Sequence, residues 1–126
     1  MKKLIGMGKA ILGARILVMG MTFKENVADI RNSKVVDIIN ELKDFGVEVD
    51  VVDPYADPEE VKKMYGFRLI EKPLGNYDAV VVAVAHDAYQ GLDEKYFKSL
   101  TCDKAVLVDV KGMYRDKIHE LKYWSL

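Results

Sequence analysis

Gly20-Met21-Thr22-Phe23-Lys24-Glu25-Asn26-Val27-Ala28-Asp29-Ile30-Arg31-Asn32-Ser33 is the stretch on which the fold turns. Just before it, Arg15 to Met19 is a short apolar run of the kind that forms a buried strand. Just after it, Val35, Val36, Ile38, Ile39, Leu42 and Phe45 fall at helical spacing within Lys34 to Phe45. A strand, a polar loop and a helix in that order place the loop at the carboxyl edge of a parallel sheet. Open α/β sheets bind their ligands at that edge. The loop is long for a connection, and it gathers two cations, two acids and amide side chains into one segment. A plain connection needs less chemistry.

Composition narrows the class. A chain of 126 residues is the size of one domain and can bury a proper core. Half of it is apolar, and 19 basic residues nearly balance 20 acidic ones, so the charge gives no footing to a nucleic-acid or membrane-surface partner. The single cysteine, Cys102, excludes an internal disulfide and fits a reducing compartment. Met1-Lys2-Lys3-Leu4-Ile5 has the look of a signal-peptide opening, but Lys9 and Arg15 interrupt the apolar run and no small-residue cleavage pattern follows. No segment has the length and apolarity to cross a bilayer, and a cytoplasmic location is expected.

Residues 1–13 are expected to form a connector, a short lead-in helix or frayed segment, because Gly6, Gly8 and Gly13 weaken a helix. Those glycines imitate a phosphate-binding loop. However, a dinucleotide fingerprint must follow a strand, and Gly8-Lys9 is not followed by Ser or Thr. Residues 14–126 then form one domain. Asn32 or Ser33 is placed to cap the first helix, and Gly46 to end it in a left-handed conformation. Val47 to Val52 forms the next strand, stopped by Asp53-Pro54, which completes a right-handed βαβ unit. Asp57 caps a shorter helix reaching Tyr65, with Pro58 at its first position. Phe67 to Ile70 is expected as a brief edge strand, and Ala79 to Val84 as the most buried strand. Glu94 to Leu100 suits a helix and Ala105 to Val110 a further strand. One helical turn, with His119 on an exposed helix, and an aromatic strand at Tyr123-Trp124 close the chain. The fold expected is a three-layer, doubly wound (Rossmann-like), mostly parallel α/β sheet covered by helices on both faces.

The loops at the active edge then offer Phe23, Lys24, Asn26, Asp29 and Arg31, followed by Asp53, His86 with Asp87, and Lys111 with Gly112. Cations for phosphate, amides and carboxylates for sugar hydroxyls, and a helix start near Ser33 suit an anionic ligand bearing hydroxyls. The first loop lacks G-x-G-x-x-G. Asp53 occupies the place of a dinucleotide domain's ribose-binding acid, but an aspartate before proline at a strand end is more often a turn residue. His86 is a ligand contact or a loop-fixing residue before it is a general base. Cys102 belongs to the opposite edge of the sheet, and the chain shows no catalytic set and no metal-ligand spacing.

Thr22-Phe23-Lys24-Glu25-Asn26 followed by Asp29-Ile30-Arg31-Asn32-Ser33-Lys34 resembles the signature of the UDP-glucose/GDP-mannose dehydrogenase family, at the start of its C-terminal nucleotide-sugar-binding domain. The similarity continues through Gly46-Val47, Asp53-Pro54, Ala83-Val84-Ala85-His86, Asp109-Val110-Lys111-Gly112 and Tyr123-Trp124, and its flavour is that of the UDP-N-acetylhexosamine 6-dehydrogenases. The resemblance implies a UDP-sugar substrate and two hydride transfers to NAD that take the sugar C6 alcohol to a carboxylate. It also implies partner domains: an N-terminal NAD-binding domain that holds most of the cofactor, and a central region through which the full-length enzyme forms a homodimer. The family's thioester-forming cysteine lies outside the part that this chain resembles, and Cys102 matches it in neither motif nor position. The domain alone is therefore expected to be inactive. Carried over by position, Phe23 and Lys24 contact the nucleotide sugar, Arg31 reaches toward NAD, and Lys111 lies near a basic substrate contact. The local Asp109-Val110-Lys111-Gly112 pattern departs from the arginine-rich version of animal relatives. A self-standing regulatory nucleotide-binding module and a purely structural assembly domain are the alternatives from other classes.

Overall fold

The computed structural model describes residues 14–22, 26–27, 29–31 and 33–125. Five strands form one sheet: β1 (Arg15–Met19), β2 (Glu48–Val52), β3 (Tyr77–Val82), β4 (Thr101–Asp109) and β5 (Lys122–Ser125). Their order is β2-β1-β3-β4-β5, and every pairing is parallel. All five strands therefore end at one rim. The chain winds outward from β1 in both directions, which places the topological switch between β1 and β3.

Both faces of the sheet are covered. Alternation along each strand divides its side chains, so Ile16, Val18, Ala79, Val81 and Val106 pack on one side with α1 (Val35–Asp44) and α2 (Pro58–Tyr65). Leu17, Met19, Val80, Val82 and Leu107 pack on the other with Phe97 of α3 (Glu94–Leu100) and with Tyr89 and Tyr114. Near-continuous apolar strands are what a sheet buried on both faces requires.

Several local expectations hold. Asp57 accepts the Glu59 N–H at 2.9 Å, and Pro58 opens α2. Gly46 follows α1 with φ +82°. Others are corrected. The N-cap of α1 is Lys34, without a side-chain cap bond; the Ser33 hydroxyl instead donates to the Met21 carbonyl at 2.5 Å, closing the loop on itself. Asn32 lies outside the described residues. Phe67 to Ile70 is not a strand, since it makes a single rung, Ile70 N–H to the Val51 carbonyl. His119 sits in an exposed bend, not a helix. β3 begins at Tyr77 and β4 at Thr101, because these two pair at the amino end of the sheet. The expected connector, 1–13, lies outside the described residues.

Candidate functional site

The carboxyl rim is built around two buried strand-end aspartates. Asp53 follows β2, and its side chain is fully enclosed. Its Oδ2 accepts the Met21 N–H at 2.7 Å, the Thr22 N–H at 3.3 Å and the His86 Nε2–H at 2.9 Å. Its Oδ1 accepts the N–H groups of Tyr55 at 2.7 Å and Ala56 at 3.0 Å. The amide donors just after β1, which a dinucleotide-binding turn would aim at a pyrophosphate, here hold the protein's own carboxylate. Asp53 is thus a clamp between the β1 and β2 loops, with its acceptor positions filled.

Asp109 does the same at the end of β4. It accepts the N–H groups of Met113 at 3.0 Å and Tyr114 at 2.7 Å, and the Tyr123 hydroxyl at 2.5 Å. Burial first, and then Asp109, push the Tyr123 hydroxyl up to about 12. Asp109 thereby sets the turn that carries Lys111, which is exposed on the rim.

His86 is completely buried at the switch point. Its Nδ1 accepts the Asn26 N–H at 2.9 Å, so that nitrogen carries the lone pair and the proton sits on Nε2, facing Asp53. The Thr22 hydroxyl lies 3.2 Å from the same Nε2. The Tyr55 and Tyr89 rings flank the imidazole, with centroids at 4.7 and 5.5 Å. Asn26 returns the contact: its Oδ1 accepts the Asp87 N–H at 2.8 Å, and its backbone is left-handed, φ +62°. Of the two sequence readings of His86, the loop-fixing one is the geometry found. Asn26, expected to meet sugar hydroxyls, uses its amide oxygen to join the β1 and β3 loops.

The organising loop is therefore partly core. Met21, Thr22, Ile30 and Ser33 are all buried, and the Tyr65 hydroxyl donates to the Ile30 carbonyl. Gly20 is forced at the loop's start. Its φ is +91°, and a Cβ there would lie 2.8 Å from Val84 Cβ and 3.1 Å from Val84 N. Arg31 is exposed and pairs with Asp29 at 3.1 Å. The hydrogen bond from Arg31 holds the Asp29 carboxyl below its ordinary range, and Asp29 in turn raises the guanidinium. Such an exposed pair is worth little to stability, which leaves Arg31 able to change partners. Phe23 and Lys24 lie outside the described residues. Among the described residues, no group of three His, Cys, Asp or Glu side chains could hold a metal ion, and no helix is long and apolar enough to cross a membrane. Cys102 lies at the amino end of β4, with its Sγ 3.3 Å from Asp78, far along the strand from the rim.

Comparison with known proteins adds the family. Residues 17–116 match the UDP-glucose/GDP-mannose dehydrogenase family, UDP binding domain. The chain is 39% identical over 111 residues to the UDP-N-acetyl-D-glucosamine 6-dehydrogenase of Pseudomonas aeruginosa, covering 87% of this chain and 26% of that protein. It is 42% identical over 113 residues to Protein CapL of Staphylococcus aureus, covering 89% and 26%. Among solved structures, the NDP-N-acetyl-D-galactosaminuronic acid dehydrogenase of Methanosarcina mazei Go1 superposes with a TM-score of 0.83 at 22% identity, over 99% of this chain and 26% of that one. This last likeness speaks to fold. The chain spans about a quarter of the length of the curated relatives it matches.

Proposed function

Since the chain belongs to the UDP-glucose/GDP-mannose dehydrogenase family, as its UDP-binding domain, we propose that it is the UDP-sugar-holding part of an NAD-dependent nucleotide-sugar 6-dehydrogenase. The substrate proposed is a UDP-N-acetylhexosamine or UDP-glucose, oxidised at C6 in two hydride transfers. The domain's share is placement: it holds the diphosphate so that C6 projects toward a nucleophile and a nicotinamide carried by partner domains. Lys24 pairs with the diphosphate, Phe23 packs beside the nucleotide, Lys111 approaches the substrate from the β4 turn, and Arg31 reaches toward NAD. Residues 1–13 connect to the rest of a homodimeric, cytoplasmic enzyme, and the domain alone does not turn over.

One observation carries this reading. The described residues of the family's signature loop, Thr22 and Asn26 among them, stand on the carboxyl rim at the switch point, beside an aspartate that has already taken the backbone donors a dinucleotide would need. That arrangement favours the nucleotide-sugar half over the NAD half. Titrating UDP into the chain and into Lys24→Ala tests it. Weakening of at least tenfold in the variant is expected, and unchanged affinity would overturn the assignment of Lys24.

A further inference from the structure

A buried imidazole with each nitrogen committed to a different segment is more than filling. His86 Nδ1 takes the Asn26 N–H, and Nε2 faces Thr22 and Asp53. Thr22 and Asn26 are the described residues on either side of the Phe23–Lys24 pair. The side chain that touches both of them comes from the β3 loop, 60 or more residues further along the chain. Asn26 closes the circuit by accepting the Asp87 N–H, so the loops after β1 and β3 are joined in both directions. Asp53 locks the imidazole by accepting from Nε2, which leaves Nδ1 as the acceptor. An apolar ring of the same size would fill the space between Tyr55 and Tyr89 but could hold neither end.

From this we propose that His86 is a positioning residue for the ligand. With Asp53 setting its tautomer, it fixes Thr22 and Asn26 and so holds the loops after β1 and β3 together at the rim where the diphosphate binds. The ligand part of this proposal rests on the UDP-sugar reading given above; the coupling of the two loops does not. Where a doubly wound fold leaves an open crevice between the first and third strands, this protein fills it with the His86–Asp53–Asn26 network, so the ligand lies above the network.

The test combines imidazole ¹⁵N spectra, amide exchange and UDP titration on the whole chain. The unmodified protein is expected to show a protonated Nε2 and an unprotonated, hydrogen-bonded Nδ1, with the Asn26 amide protected from exchange. His86→Phe keeps the ring packing. It is expected to accelerate Asn26 exchange at least tenfold and to weaken UDP at least tenfold while unfolding stays cooperative. Asn26→Gly suits the left-handed backbone and removes the amide oxygen that accepts the Asp87 N–H and, at 3.4 Å, the Tyr55 hydroxyl; it is expected to weaken UDP about threefold or more, and it serves if His86→Phe does not fold. A proton on Nδ1 in the unmodified protein, or His86→Phe with Asn26 exchange and UDP affinity within twofold of the parent, overturns the proposal. If UDP does not bind the parent, or Lys24→Ala leaves its affinity unchanged, the UDP reading fails by itself. The imidazole spectra and Asn26 exchange then still decide whether His86 couples the loops.

Discussion

Replacing Asp53 with alanine removes one acceptor from five donors at once. Met21, Ala56 and the His86 imidazole are buried, so three of those donors lose their partner where water is scarce. Tyr55 is exposed and its N–H can be hydrated, and the Thr22 bond is already long at 3.3 Å. A buried donor left without a partner costs about 1–3 kcal/mol. Three of them, partly relieved by water entering the vacated space, give roughly 3–5 kcal/mol. Domains of this size have about 5–15 kcal/mol in all, so Asp53→Ala should unfold at a much lower urea midpoint. Asp53→Asn keeps one oxygen but turns an NH₂ toward the remaining donors, and is expected to lose about 1–3 kcal/mol. Urea unfolding followed by far-UV circular dichroism separates the three proteins. An Asp53→Ala chain within about 1 kcal/mol of the parent would refute the clamp.

Three further expectations concern other parts of the chain. Gly20→Ala forces a Cβ against Val84 in a left-handed backbone and should lose about 1–3 kcal/mol in the same urea assay; a neutral result would mean the β1 turn is looser than described. Tyr89 carries a buried hydroxyl with no hydrogen-bond partner among the described residues, so Tyr89→Phe should be neutral or stabilising by up to about 1 kcal/mol, and a clear loss of stability would contradict this. Glu94 accepts the N–H groups of His119, Glu120 and Leu121, and the bond from Leu121 first among these holds its carboxyl below the ordinary range. A depressed folded-state value means this anchoring is fully present above the ordinary glutamate range and is lost as pH falls through the lowered value. Protection factors at residues 119–121, taken relative to the intrinsic exchange rate at each pH, should therefore fall only under acid, and pH-independent protection there would refute it.

Much of the fold was legible because burial on both faces writes apolar runs into the strands. Arg15–Met19 is bounded as the pattern says, and α3 likewise. Ala83 and Val84 show the limit: both are buried, yet they lie beyond the end of β3, so apolarity marked burial, not pairing. Thr101 shows the converse, a polar residue in a strand because Tyr77 lies opposite it. Ser33 has a capping residue's chemistry but found a nearer acceptor across the loop, at Met21. In the site, the loop's identity was written in its motif. The duties of Asp53, Asn26 and His86 were not, because each depends on partners tens of residues away. Six residues in a row cannot say that an aspartate before proline will collect amides from two loops.

The central claim, that the rim carrying the 20–33 loop holds a UDP moiety, is tested most directly by titrating UDP into the ¹⁵N-labelled chain and mapping the amides that shift. The account predicts saturable shifts clustered at Thr22, Asn26, Arg31, His86 and Lys111. Shifts confined to the opposite edge, around Asp78 and Cys102, or none at all, would contradict it.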